Sequence, residues 1–188
     1  MSIIDLAAAE HIAKWVDGRR DEMVEFLANL ARVESPTDAP ETQAAVQTLL
    51  ASEFEALGMQ VQHLKGTRTG GHLLAQAAGA SGPSQLLVGH TDTVWPLGTI
   101  DDLPVEESEG VNKGTGVFDK KGGLTQVVFA LRALVELDLA PAYAPVVFFN
   151  SDEEIGSPES RPHVRRLAQS AERAFVLEPA MGPTGRIK

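Results

Sequence analysis

Gln85-Leu86-Leu87-Val88-Gly89-His90-Thr91-Asp92 is a short apolar run that ends in a histidine and an acid, and the same design recurs twice further along the chain. Pro145-Val146-Val147-Phe148-Phe149 runs into Asn150-Ser151-Asp152-Glu153-Glu154, and Ala174-Phe175-Val176-Leu177 runs into Glu178-Pro179. Apolar runs of about four to eight residues, bounded by turn formers, suit strands buried on both faces. Between the first two lies Gly123–Leu139, whose apolar positions Leu124, Val127, Val128, Leu131, Leu134 and Val135 repeat at helical spacing before Pro141. Between the last two, residues 157–170 read as a short helical region with Pro158 near its start. Strands alternating with helices predict an α/β protein: a mostly parallel central sheet between two layers of helices.

The remaining chain fits around this frame. Residues 5–32 have helical periodicity, with Leu6, Ile12, Trp15, Val16, Met23, Phe26, Leu27 and Leu30 on one side, and Gly18 divides them into two helices. Ser35-Pro36-Thr37 ends that segment. A further helix opens at Pro40-Glu41 and runs to about Leu57, closed by Gly58. Residues 59–64 and 72–78 read as strands. Residues 90–118 are rich in turn formers and carry little periodicity.

Composition narrows the function. The 188 residues suit a single domain, residues 1–188, and 43% are hydrophobic, enough for a packed core. The net charge of −10 disfavours nucleic acid as a partner. There is no cysteine, so any metal would be held by His, Asp and Glu. The opening MSIIDLAAAEHIAKW carries Asp5 and Glu10 and does not read as a secretory leader, and no stretch approaches the roughly 18 apolar residues of a membrane span. A cytoplasmic protein with no membrane partner is expected.

In parallel sheets, ligands sit beyond the carboxyl ends of the strands. His90, Asp92, Asp152-Glu153-Glu154 and Glu178 fall at such ends, and Asp119 stands just before the Gly122-Gly123 start of the long helix. Gathered acids raise one another's pKa values unless cations compensate. Imidazole with carboxylate oxygen is a donor set that zinc accepts, with cobalt or manganese as substitutes, and one carboxylate can bridge a pair of ions. Each residue alone has a bland reading. A histidine after a strand is usually just polar, Asp119 could cap a helix, and an acidic run is usually a solvated loop. Their joint fall at strand ends, in order, carries the case. His11, His63, His72 and His163 lack such neighbours and read as structural or surface residues.

The motifs His90-Thr91-Asp92-Thr93-Val94, Gly114-x-Gly116-x-x-Asp119-x-Lys121-Gly122-Gly123, Asn150-x-Asp152-Glu153-Glu154-x-Gly156-Ser157 and Glu178-Pro179 resemble the signature of the dinuclear zinc exopeptidases. That family contains glutamate carboxypeptidase, acetylornithine deacetylase, succinyl-diaminopimelate desuccinylase and aminoacylase. Gly156-Ser157 and Ser160-Arg161 bring the likeness nearest to glutamate carboxypeptidase. The resemblance implies two Zn2+ ions: His90 and Glu178 on one, Glu154 on the other, Asp119 bridging both. It implies Glu153 as the general base acting on the metal-activated water, and Asp92 as the residue orienting His90. The implied reaction is hydrolysis of the amide of a peptide or N-acyl amino acid. The alternatives are a deacetylase or desuccinylase of the same family, or an inactive truncated remnant. A metal-free α/β binding module ranks last, because it leaves the gathered acids without a counter-ion.

Two positions depart from the family pattern, Thr115 and Lys120, and neither is a ligand position. Family members run to roughly twice this length. The resemblance therefore implies that a lid or dimerisation domain, and the closing catalytic stretch with the last histidine ligand, lie beyond Gly185-Arg186-Ile187-Lys188. A homodimer through that lid is the implied assembly.

Overall fold

The computed structural model describes residues 6–79 and 82–181. Asp5, the predicted helix start, and residues 185–188, where the resemblance puts the beginning of a lid, lie outside them. The elements follow in order: α1 Leu6–Asp17, α2 Arg20–Arg32, a 3-10 turn Pro40–Thr42, α3 Gln43–Ala56, β1 Met59–Leu64, β2 His72–Ala77, β3 Ser84–His90, α4 Thr99–Asp102, β4 Glu106–Ser108, β5 Val111–Lys113, an irregular turn Val117–Lys121, α5 Gly122–Glu136, β6 Ala144–Asn150, α6 Arg161–Gln169 and β7 Ala171–Val176.

Among the described residues the central sheet has five strands in the order β1-β2-β6-β3-β7. Its two faces alternate along each strand, as the pleat requires. Leu73, Ala75, Leu87, Val147 and Phe149 pack with Leu30 of α2, Val46, Leu50 and Phe54 of α3, and Leu124, Val128 and Phe129 of α5. Leu74, Leu86 and Phe148 point the other way and meet Val164 and Leu167 of α6. The three-layer α/β architecture expected from the sequence is present.

Two expectations are corrected. The sheet is mixed, not mostly parallel. β3 pairs in parallel with β6 and with β7, but β1–β2 and β2–β6 are antiparallel. Only the stretch built by alternating strands and helices runs parallel; β1 and β2, joined by a short loop, turn back on each other as hairpins do. β7 exists but is not buried: Phe175 and Val176 are 48% and 62% exposed, and among the described residues the strand lies at the sheet edge with one neighbour. Residues 90–118, rich in turn formers, hold the short α4 and the small β4–β5 hairpin.

Close packing brings α5 down onto the strand ends. A side chain at Gly89 would meet Leu124 Cδ2 at 2.7 Å and the Phe149 ring at 3.0 Å, and one at Gly123 would overlap the Leu177 carbonyl. Both glycines let the helix start where Asp119 precedes it and Glu178 follows the opposing strand. Among the described residues, no helix is long and apolar enough to cross a membrane.

Candidate metal centre

Register brings the chemistry to one edge. His90 pairs with Asn150, and Val88 with Val176, so the parallel strands β3, β6 and β7 end together. The Leu177 N–H donates to the Val88 carbonyl at 2.9 Å and holds Glu178 at the same level. Asp119 arrives separately. Gly114 and Gly116 turn the backbone at positive φ, and Asp119 leaves helical geometry with φ −118° and ψ 96° before α5 begins.

His90 is buried at 1% exposure, and its ring is oriented from behind. Nδ1 lies 2.9 Å from the Asp92 carbonyl oxygen and 3.4 Å from Asp92 Oδ1. A proton on Nδ1 satisfies both, which leaves the Nε2 lone pair facing forward. Nε2 stands 3.3 Å from Asp119 Oδ1, 3.8 Å from Glu153 Oε2 and 3.8 Å from Glu178 Oε1. Among the described residues this buried nitrogen has no hydrogen-bond partner. A lone pair facing three carboxylates is a repulsive arrangement until a positive charge enters. Burial alone would lower the His90 pKa, but the Asp92 carboxylate more than reverses this and the net direction is up. The site calls for a cation on the Nε2 face.

Asp92 is the hub of the supporting structure. Its Oδ1 accepts the Glu153 N–H and its Oδ2 accepts the Glu154 N–H, both at 3.2 Å, and the Thr37 hydroxyl donates to Oδ2 at 2.9 Å. Burial would push its pKa up, but the hydrogen bonds from His90, Thr37 and the Glu154 backbone hold it below the usual range. The turn after β6 is fixed on its other side by Asp152, whose Oδ2 accepts the Glu159 and Ser160 N–H groups at 2.7 Å and 3.0 Å. Asp152 is thus a structural member of the acidic run, while Glu153 and Glu154 diverge from it.

Of the residues expected to hold metal, His90, Asp119 and Glu154 each offer a ligand atom within 4.8 Å of the others. Burial pushes the Glu154 pKa up, and the charges of Asp119, Asp92 and Glu153 add to this. Neighbouring His90 pulls it the other way, and burial and like charge prevail. The Glu153 side chain is 46% exposed, open to solvent beside the group. Glu178 stands on the rim: its Oε1 is 2.7 Å from Lys120 Nζ. One imidazole and two carboxylates, with an orphaned buried nitrogen among them, fit a divalent ion.

Sequence reasoning missed three supporting residues. Thr37, buried Lys120 and buried Lys121 all touch the centre or the loop beneath it. Lys121 donates to the Val33 carbonyl at 2.7 Å, and burial pulls its pKa down to about 8. Lys120 was visible as a departure from the family pattern; its burial was not. His72, read from the sequence as a structural or surface residue, is buried, its ring 5.6 Å from that of Phe148. A cavity of about 680 Å³ between Leu57, Met59, Leu134 and Pro145 lies at the opposite end of the sheet.

Comparison with known proteins agrees with this geometry. Carboxypeptidase G2 of Pseudomonas sp. (strain RS-16) is 30% identical over 159 residues, which cover 84% of this chain and 38% of that protein. Succinyl-diaminopimelate desuccinylase of Xanthomonas oryzae pv. oryzae is 34% identical over 129 residues, 66% of this chain and 33% of its own length. The crystal structure of human carnosine dipeptidase 1 shares the fold with a TM-score of 0.74 at 18% identity, over 89% of this chain and 40% of that one. The chain thus spans about two fifths or less of the length of these relatives. The family model for peptidase family M20/M25/M40 matches residues 86–187, more than half of the chain, from within β3 through every motif at the strand ends. The chain belongs to peptidase family M20/M25/M40.

Proposed function

We propose that this chain forms the metal-centre portion of a zinc-dependent hydrolase that cleaves the amide bond of a peptide or an N-acyl amino acid. The observation that carries the reading is the buried, unpartnered His90 Nε2 facing Asp119, Glu153 and Glu178, with Asp119 and Glu154 close enough to share an ion with it. His90, Asp119 and Glu154 are assigned as metal ligands. Glu178, whose Oε1 faces His90 Nε2 at 3.8 Å, is assigned beside them as a further residue that would hold the metal. Cobalt or manganese would serve as substitutes. A divalent ion bound there supplies Lewis acidity: it polarises the scissile carbonyl and lowers the pKa of water toward about 7.

The chain's own residues supply the rest. Glu153 is assigned as the general base. Its side chain reaches solvent, and its oxygen lies within 3.8 Å of the imidazole, so it can take the proton of an attacking water and return it to the leaving amine. Asp92 is a positioning residue: it fixes the His90 ring on one side and the Glu153-Glu154 backbone on the other. The exposed apolar side chains Val94, Trp95, Phe118 and Ile155 stand within three residues of these groups in sequence and offer an apolar rim to the acyl or side-chain part of a substrate.

The likenesses to carboxypeptidase G2 and to succinyl-diaminopimelate desuccinylase both support an amide substrate flanked by a carboxylate. The test is hydrolysis of a panel of N-acyl amino acids and dipeptides by the zinc-loaded protein beside Glu153→Ala. The expected result is that the variant loses activity by about 10²-fold or more while keeping its zinc. Undiminished turnover in the variant would remove Glu153 from the role of base.

A further inference from the structure

Gln43 opens α3, and it is 0% exposed. A buried carboxamide is costly unless its donors and its acceptor are met, and here they are. Nε2 donates to the Ser35 carbonyl at 2.7 Å and to the Pro36 carbonyl at 3.2 Å. Carbonyl oxygens only accept, so the nitrogen has to face them and Oε1 has to face the other way. There Oε1 accepts the Thr91 hydroxyl at 3.0 Å. A Cβ on Gly70 would overlap Gln43 Cβ, so the loop that carries Gly70 lies directly against this side chain.

Thr91 is the residue between His90 and Asp92, and each of its polar groups is engaged. Its N–H donates to the Asn150 carbonyl at 2.7 Å, its carbonyl accepts the Ser35 hydroxyl at 2.6 Å, and its own hydroxyl meets Gln43. Residues 35–37 run alongside residues 91–93, joined by a parallel bridge between Pro36 and Thr93. The Thr93 N–H donates to the Ser35 carbonyl at 3.0 Å, and the Thr37 N–H donates to the Thr93 carbonyl at 3.1 Å. That alignment delivers the Thr37 hydroxyl to Asp92 Oδ2 at 2.9 Å. None of these contacts uses a side chain assigned to hold the ion.

We propose that Gln43 is a positioning residue of the metal centre: its carboxamide clamps residues 35–37 to Thr91 and so sets Asp92 where it orients His90. The clamp joins the first turn of α3 to the end of β3, and it needs an amide. A carboxylate would set an acceptor against two carbonyl oxygens, and an apolar side chain would leave the Thr91 hydroxyl and both carbonyls without this partner. This inference rests on the metal-centre reading above and extends the support of His90 to a residue of α3.

The experiment is zinc affinity of the 188-residue chain, read by competition with a chromophoric chelator, beside the urea midpoint of each protein. The set is the wild type, Gln43→Met, Asp92→Asn, their double variant, Thr37→Val, Thr37→Ser and Leu50→Ala. Leu50 is fully buried on the same helix and packs in the apolar core, so Leu50→Ala lowers stability without touching the clamp. Gln43→Met should weaken zinc by about tenfold and Leu50→Ala by less than about twofold, although both lower the urea midpoint. The double variant should bind zinc within about twofold of Asp92→Asn alone, because Gln43 acts through Asp92. Thr37→Val should weaken zinc by about fivefold, and Thr37→Ser, which keeps the hydroxyl, should restore it. The proposal is overturned if Gln43→Met weakens zinc no more than Leu50→Ala does, or if the losses of Gln43→Met and Asp92→Asn multiply in the double variant. Should Gln43→Met fail to fold, wild-type affinity in Thr37→Val overturns it instead. Each of these outcomes leaves zinc binding by the wild type intact; a wild type that binds no zinc overturns the metal-centre reading and this inference with it.

Discussion

Asp92 Oδ1 accepts the backbone N–H of Glu153 at 3.2 Å. One buried carboxylate thereby ties the end of β3 to the turn that follows β6, and its second oxygen does the same for Glu154. The proposed base and a proposed ligand are thus set in place by the residue that also orients His90. In Asp92→Asn, one of the two accepting oxygens becomes an NH2 group that cannot receive these N–H donors. Zinc affinity of this variant should fall by about 10- to 100-fold, with the fold retained. Chelator competition measures it, and wild-type affinity would show that the Asp92 charge does not support the site.

Glu159 joins two loops at the edge of the site and sets an acid limit on stability. It accepts the N–H groups of Thr67 and Arg68 at 3.1 Å and 2.9 Å, and the hydroxyls of Thr67 and Thr69. The Thr67 and Thr69 hydroxyls, followed by the backbone donors, depress its pKa from 4.5 to about 2. A depressed carboxylate contributes its stability above the ordinary value of 4.5 and loses it as pH falls toward 2. Glu159→Gln should melt lower than the wild type at pH 7, by about 2–6 °C. Its melting temperature should also fall less steeply than that of the wild type between pH 4.5 and 2. Parallel pH profiles for the two proteins would contradict this role.

Gly123 is required by contact, not by backbone conformation. It sits in the first turn of α5, and a Cβ there would overlap the carbonyl oxygen of Leu177, the residue before Glu178. Gly123→Ala must push the helix off the end of β7, and should cost about 1–3 kcal/mol of stability in urea denaturation. Gly18→Ala is the control. Its nearest would-be neighbours are at 3.5 Å and 3.6 Å, which is ordinary packing, and its stability should stay within about 0.5 kcal/mol of wild type. Equal effects at the two sites would remove the close-approach argument.

Much of this was legible in the sequence, and the gaps have physical causes. The strands that carry His90, Glu153-Glu154 and Glu178 announced themselves because buried strands read as unbroken apolar runs. Their polar ends marked the site. The direction of β1 and β2 was not legible, because a run such as Leu73-Leu74-Ala75 is equally apolar in a parallel or an antiparallel neighbour. Nor was the exposure of β7: Ala174-Phe175-Val176 has the composition of an inner strand and the position of an edge. Lys120 was hidden for the opposite reason. Its residue type speaks for solvent, and only the fold shows that Glu178 stands ready to pair with it. Asp92 was read as the orienter of His90, but its grip on the Glu153 and Glu154 backbone depends on a loop contact across 61 and 62 positions of sequence that no local pattern encodes.

The most direct measurement is zinc titration of the purified chain, with elemental analysis, beside His90→Ala. The orphaned Nε2 and the converging carboxylates call for a cation, so the wild type should bind zinc tightly and His90→Ala should lose it by roughly 100-fold or more. Zinc uptake by the wild type no greater than by His90→Ala would contradict the account, and the acids at the strand ends would then have to be stabilised by something other than a metal held at His90.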